Sequence, residues 1–208
     1  MKMDTAPKNL DITSSKNRLP LHNWLFDTIQ PYLKGRTLEI NSSICTLYPN
    51  FIENNLPIHL SDPDEEQCYK MFRQLQTIAV IRQIHKINFN HPIFDEVTSK
   101  LKSAFDTILS LDIIGDGRMV PTVIRNAITL LAERGRFILM MPATTALYNG
   151  IDPDWNDLIL NDPNPVKKLL FNEFEPLRVQ YLNPKNEKEA TIMLDPVFPF
   201  LFFVGRKK

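Results

Sequence analysis

At 208 residues the chain is long enough to bury a substantial core, and a single domain is the default at that length. A hydrophobic share of 43% and a charged share of 23% exclude collagen-like, disulfide-scaffold and wholly disordered proteins. Lys+Arg and Asp+Glu balance at 24 each, so no global charge draws the chain to nucleic acid or to an anionic membrane. Cys45 and Cys68 form no CxxC pair and stand far from any histidine in sequence, which argues against zinc and disulfides and fits a reducing cytoplasm. The most apolar run, Phe198 to Val204, is far short of the roughly 20 residues of a membrane span, and no apolar h-region opens the chain.

Residues 1 to 20 are polar and read as a loose tail before a single domain over 21 to 208. Leu21, Trp24, Leu25, Ile29 and Leu33 recur at helical spacing, and Gly35 follows as a stop, predicting a helix over 21 to 34. Thr37 to Ile40 is a short apolar strand broken by Asn41-Ser42-Ser43, and a second helical stretch runs to about Asn54. Pro57 to Asp62 is a second strand; a long helix from Asp64 carries Cys68, Met71, Phe72, Leu75, Ile78 and Ala79 on one face. A third strand is expected over Ile84 to Phe89 and a helix over Phe94 to Leu101.

The next elements are plainer. Phe105 to Leu111 is a nearly continuous apolar strand, Gly115-Asp116-Gly117 a turn, and Val120, Val123, Ile124, Ala127, Ile128 and Leu131 one helix face. Gly135 opens the strand Arg136 to Met141, which Pro142 closes. Residues 149 to 165, dense in Asn, Asp and Pro, read as a long irregular connection. A helix over Val166 to Phe174 and strands over Leu177 to Leu182 and Phe198 to Val204 complete the order. Apolar strands alternating with helices predict an α/β fold: a doubly wound, mostly parallel sheet of about seven strands, with helices on both faces.

In "PYLKGRTLEI", "FDTILSLDII" and "NAITLLAERGRFILMMPATTALY", the chain resembles the class I methyltransferases that use S-adenosylmethionine (AdoMet), over about residues 20 to 206. It is similar in particular to bacterial members found with glycan-synthesis enzymes, in which Pro-Ala-x-x-Ala-Leu-Tyr follows the fifth strand. The resemblance implies the Rossmann-like fold, AdoMet as cofactor, and a small or glycan-linked methyl acceptor. It matches Glu39 to the acid after the first strand, Asp62 to the acid that binds the ribose hydroxyls, and Asn88 to the adenine contact. Asn41, Ser43 and Cys45 stand where the family has glycines, so side chains narrow the cofactor space and a positive φ becomes costly for Ser and Cys. Asn tolerates left-handed geometry better. Asp112, at the carboxyl end of the plainest strand, joins this set as a polar group near the substrate. The family's histidine after the fourth strand is replaced by Gly115-Asp116, and its substrate segment by "NGIDPDWNDLILNDPNP".

Other readings of these residues stand beside the resemblance. Glu39 has the alternative of a surface or capping carboxylate, and Asp62, before Pro63-Asp64, that of a turn or helix-cap residue. Asp152, Asp154 and Asn156 have calcium-loop spacing, but Asp157 stands where glycine is required and Pro163 where the bidentate Glu should be. The four histidines lack ligand spacing, so no metal is expected. GxGxxG, Walker A and GxSxG sequences are absent. Two functions follow: an AdoMet-dependent methyltransferase with a divergent loop, or a methyltransferase-like binding or partner module that has lost cofactor binding and catalysis.

Overall fold

A computed structural model of the chain describes residues 20–43, 47–111, 120–142, 165–182 and 200–208. They build one seven-stranded sheet of order β3-β2-β1-β4-β5-β7-β6. Its strands are β1 (Thr37–Glu39), β2 (Ile58–Asp62), β3 (Ile81–Lys86), β4 (Phe105–Ser110), β5 (Leu131–Pro142), β6 (Phe174–Leu182) and β7 (Phe200–Lys207). β1 pairs in parallel with both β2 and β4, whereas β7 is antiparallel to its neighbours β5 and β6. The expected α/β, mostly parallel architecture is the one observed.

Among the described residues six helices cover the sheet: α1 (Pro20–Ile29), α2 (Tyr48–Glu53), α3 (Glu65–Leu75), α4 (Phe94–Val97), α5 (Val120–Leu130) and α6 (Pro165–Glu173). One core packs Leu25, Phe26, Phe51 and Leu75 from α1 to α3 against Ile58 and Leu109. The other packs Phe94, Ile124 and Leu170 from α4 to α6 against Leu38, Ile108 and Phe137. Successive residues Ile108 and Leu109 fall in different cores, as the pleat of a strand covered on both faces requires.

Several boundaries differ from the sequence pattern for identifiable reasons. α1 stops at Ile29 because Pro31 has no N–H to continue the ladder, and Gln30–Tyr32 tighten into a 3-10 turn. α3 is capped by Asp64, whose carboxylate accepts the Glu66 N–H at 2.7 Å, but ends at Leu75, leaving Ile78 and Ala79 beyond it. β3 begins three residues before the expected Ile84; as an edge strand it tolerates the exposed Arg82 and Gln83 that hide it from an apolar pattern. The expected helix over 94 to 101 is the short α4 followed by a 3-10 turn at Ser99–Leu101. Leu131 starts β5, opposite Phe105, and does not belong to the α5 face. β7 holds Phe202 and Phe203 fully buried between two strands, as the aromatic pattern implies.

From β1 the chain builds outward through β2 and β3, then returns to place β4 on the other side of β1. Strand order therefore reverses between β1 and β4, and the crevice at their carboxyl ends is where sheets of this kind hold ligands.

Candidate functional site

Glu39 is the last residue of β1. Leu38 and Ile40 point into the core under α4 to α6, so alternation sends Glu39 to the opposite face, beneath α1 and α2. It is completely buried there. Its Oε1 accepts the Leu47 N–H at 3.1 Å, and its Oε2 has no partner among the described residues. Burial pushes its carboxyl up to about 8, against the lowering effect of the Leu47 N–H, so the group holds a proton at neutral pH. The Tyr48 phenol is also raised, first by burial and then by Glu39.

The turn after Glu39 is fastened to the end of β2. Asn41 adopts φ +55°, the left-handed geometry that the glycine substitution left open and that Asn accepts at little cost. Ser42 N–H donates to the Ser61 carbonyl at 2.9 Å, and the Ser42 and Ser61 hydroxyls both donate to the Glu39 carbonyl, at 3.1 and 2.8 Å. Ser43, at the second glycine position, is not in positive φ, so its side chain adds no backbone strain. Its hydroxyl donates to Asp62 Oδ2 in a close hydrogen bond, and its N–H reaches the same oxygen at 3.4 Å. Asp62 Oδ1 accepts the Asp64 N–H at 2.9 Å, so Asp62 also begins the turn into α3. Asp62 is 3% exposed.

Glu39, Asn41, Ser43 and Asp62 are thus brought together at the carboxyl edge of β1 and β2. Asn88 stands apart, exposed two residues beyond β3, with its Oδ1 accepting the Asn90 N–H at 2.9 Å. Cys45 and Asp112 lie outside the described residues, as do the Gly115-Asp116 turn and the 149–164 connection. Beyond Asn88, a cavity of about 530 Å³ opens between residues 90–96 and the Thr122 and Asn126 side of α5, within the size range of small-ligand sites. Asn126 ties the two walls, donating to the Phe89 carbonyl at 2.7 Å.

A second polar cluster, two buried histidines linked to an exposed Arg36, escaped the sequence pattern. Arg36 Nε–H donates to His59 Nε2 at 3.1 Å, and His59 Nδ1 meets His85 Nε2 at 3.1 Å. The rings stack 5.3 Å apart and both meet Phe105 edge-on. Burial, followed by the Arg36 charge, lowers both imidazoles to about 4. The only signal in sequence is a histidine inside each of two neighbouring strands. Among the described residues no group of three or more His, Cys, Asp and Glu could hold a metal.

No family model matches the sequence, and no curated protein does. Solved structures share the fold. A protein from Pyrococcus horikoshii OT3 aligns over 98% of this chain and 96% of its own, with TM-score 0.62 and 13% identity. A SAM-dependent methyltransferase from Aquifex aeolicus aligns over 93% and 94%, with TM-score 0.59 and 10% identity. The Burkholderia thailandensis 1,6-didemethyltoxoflavin-N1-methyltransferase, solved with its substrate and S-adenosylhomocysteine, aligns over 91% and 77%, with TM-score 0.54 and 13% identity. The chain therefore has the class I methyltransferase fold.

Proposed function

We propose that the carboxyl edge of β1 and β2 binds AdoMet and that the chain is a methyltransferase acting on a small or glycan-linked acceptor. The observation that carries this reading is the turn itself: Asn41 takes the left-handed conformation directly after Glu39 and brings the chain beside Asp62. Residues 41 to 43 form their part of the turn without glycine, so Asn41 and Ser43 do not by themselves remove the site. The orphaned, buried Glu39 Oε2 is a second point of fit, an O–H at neutral pH with no acceptor among the described residues. Bound AdoMet would supply a methyl group on a sulfonium, and the protein's part would be alignment of that group with the acceptor. In this reading Asp62 receives the ribose, Asn88 the adenine, the backbone at 41 to 45 the methionine portion, and Asp112 lies on the substrate side. The S-adenosylhomocysteine held by the Burkholderia enzyme on a similar fold supports it.

Isothermal titration with AdoMet and with S-adenosylhomocysteine tests the reading. Saturable binding is expected, weakened about tenfold to a hundredfold by Asp62→Ala, the worth of hydrogen bonds to a charged group. No heat at millimolar ligand overturns it. A second reading, an inactive binding or partner module, is favoured by one contact: Ser43 already occupies the Asp62 carboxylate. The variant Asn41→Gly, Ser43→Gly, Cys45→Gly separates the two, because a wild type that binds AdoMet as well as this variant has lost nothing with its glycines.

A further inference from the structure

The Asp62 carboxylate offers about four acceptor positions, and three donors already reach it: the Ser43 hydroxyl, the Ser43 N–H and the Asp64 N–H. A ribose brings two hydroxyl donors, one more than the remaining capacity. The two backbone donors are fixed by the turn, whereas the Ser43 hydroxyl turns on a single side-chain torsion with staggered alternatives. Ser43 is only partly buried, so water reaches the exchange.

From this crowding we infer that Ser43 sets the site's affinity by standing in for a ribose hydroxyl: ligand binds only as the Ser43 hydroxyl rotates off Asp62. The inference rests on the reading that Asp62 receives the ribose, and it deepens that reading by naming the group the cofactor must displace. A serine that merely braces the turn has the opposite effect. Its removal would loosen the loop and weaken binding, whereas removal of a competitor tightens it.

The test is titration of the full chain with S-adenosylhomocysteine and with its 2′-deoxy counterpart, using wild type, Ser43→Ala and Ser43→Thr, with thermal melts to verify folding. Ser43→Ala is expected to bind S-adenosylhomocysteine on the order of tenfold tighter, since one charge-assisted hydrogen bond no longer competes. Ser43→Thr keeps the hydroxyl and is expected to match wild type. The gain is expected to shrink to less than about threefold with the 2′-deoxy ligand, which brings one donor fewer. Should the alanine variant fail to fold, Ser43→Cys keeps the volume with a weak donor and carries the same expectation. If wild type binds and Ser43→Ala binds equally or more weakly, the role given to Ser43 is overturned while the AdoMet site stands. If neither binds at millimolar ligand, the AdoMet reading itself falls, and this inference with it.

Discussion

The Arg36, His59 and His85 cluster and the Glu39, Ser43 and Asp62 cluster lie along one sheet, each built around buried side chains, and differ in how their hydrogen bonds end. In the first, the Arg36 N–H fixes His59 Nε2 as an acceptor, which leaves the His59 proton on Nδ1 to serve His85. Neutral rings, a guanidinium and Phe105 close on one another, and among the described residues no buried nitrogen of the two histidines is without a partner. In the second, Glu39 keeps a bare oxygen and Asp62 is capped by a hydroxyl that one torsion can withdraw. Under the proposed function the carboxyl edge is the ligand-binding end and the histidine pair is scaffold.

Disturbing the scaffold should therefore cost the most stability. Gly35→Ala forces an alanine into φ +51° and drives its Cβ against the Asp106 carboxylate, which accepts the Arg36 N–H at 2.8 Å. A loss of roughly 3 kcal/mol is expected, combining left-handed strain with one lost hydrogen bond, and chemical denaturation measures it. His59→Leu strands the Arg36 Nε–H and His85 Nε2 and should cost about 2 kcal/mol in the same assay. Glu39→Gln, at the proposed ligand site, should stay within about 1 kcal/mol at pH 4, because it replaces a carboxyl that is protonated when folded and largely so when unfolded.

The most diagnostic effect is that of acidity, which acts on the two clusters with opposite sign. The imidazoles titrate near 4 when folded and at 6.5 ordinarily, so between those values the unfolded chain binds protons that the folded chain refuses. Stability then falls as pH drops below about 6.5. Glu39 titrates near 8 when folded and at 4.5 ordinarily, so the folded chain holds a proton the unfolded chain has released, and stability falls as pH rises through that window. Where the windows overlap, two histidines outweigh one glutamate. The melting temperature is expected to peak near pH 6.5; Glu39→Gln should flatten the alkaline side and His59→Leu the acid side. A melting curve unchanged by both variants would undo the contrast.

The sequence was most readable where apolar runs are continuous. β4, α5 and the Arg136 to Met141 part of β5 follow from their own residues, as does the buried β7 from its phenylalanines. β3 was shifted because an edge strand can be polar, and α1 was overrun because its apolar spacing continues through Pro31. At the site, Asn41 could be foreseen in left-handed geometry from its own chemistry. The Ser43 to Asp62 contact could not: it spans 19 residues and depends on how the turn is bonded to Ser61. The histidine pair is hidden likewise, since His59 and His85 meet only through the irregular register of β2 and β3.

β7 has a consequence for how the molecule assembles. It comes after β5 and β6 in chain order yet lies between them, hydrogen-bonded to each along its length. As the chain leaves the ribosome, β5 and β6 emerge with their facing edges bare and no bond to one another. Among the described strands β3, β2, β1, β4 and β5 pair without β7, and β6 joins them only through it. Until then Phe137 and Phe174, which stack 5.5 Å apart in the finished core, flank an open slot of the kind through which nascent β-rich proteins aggregate.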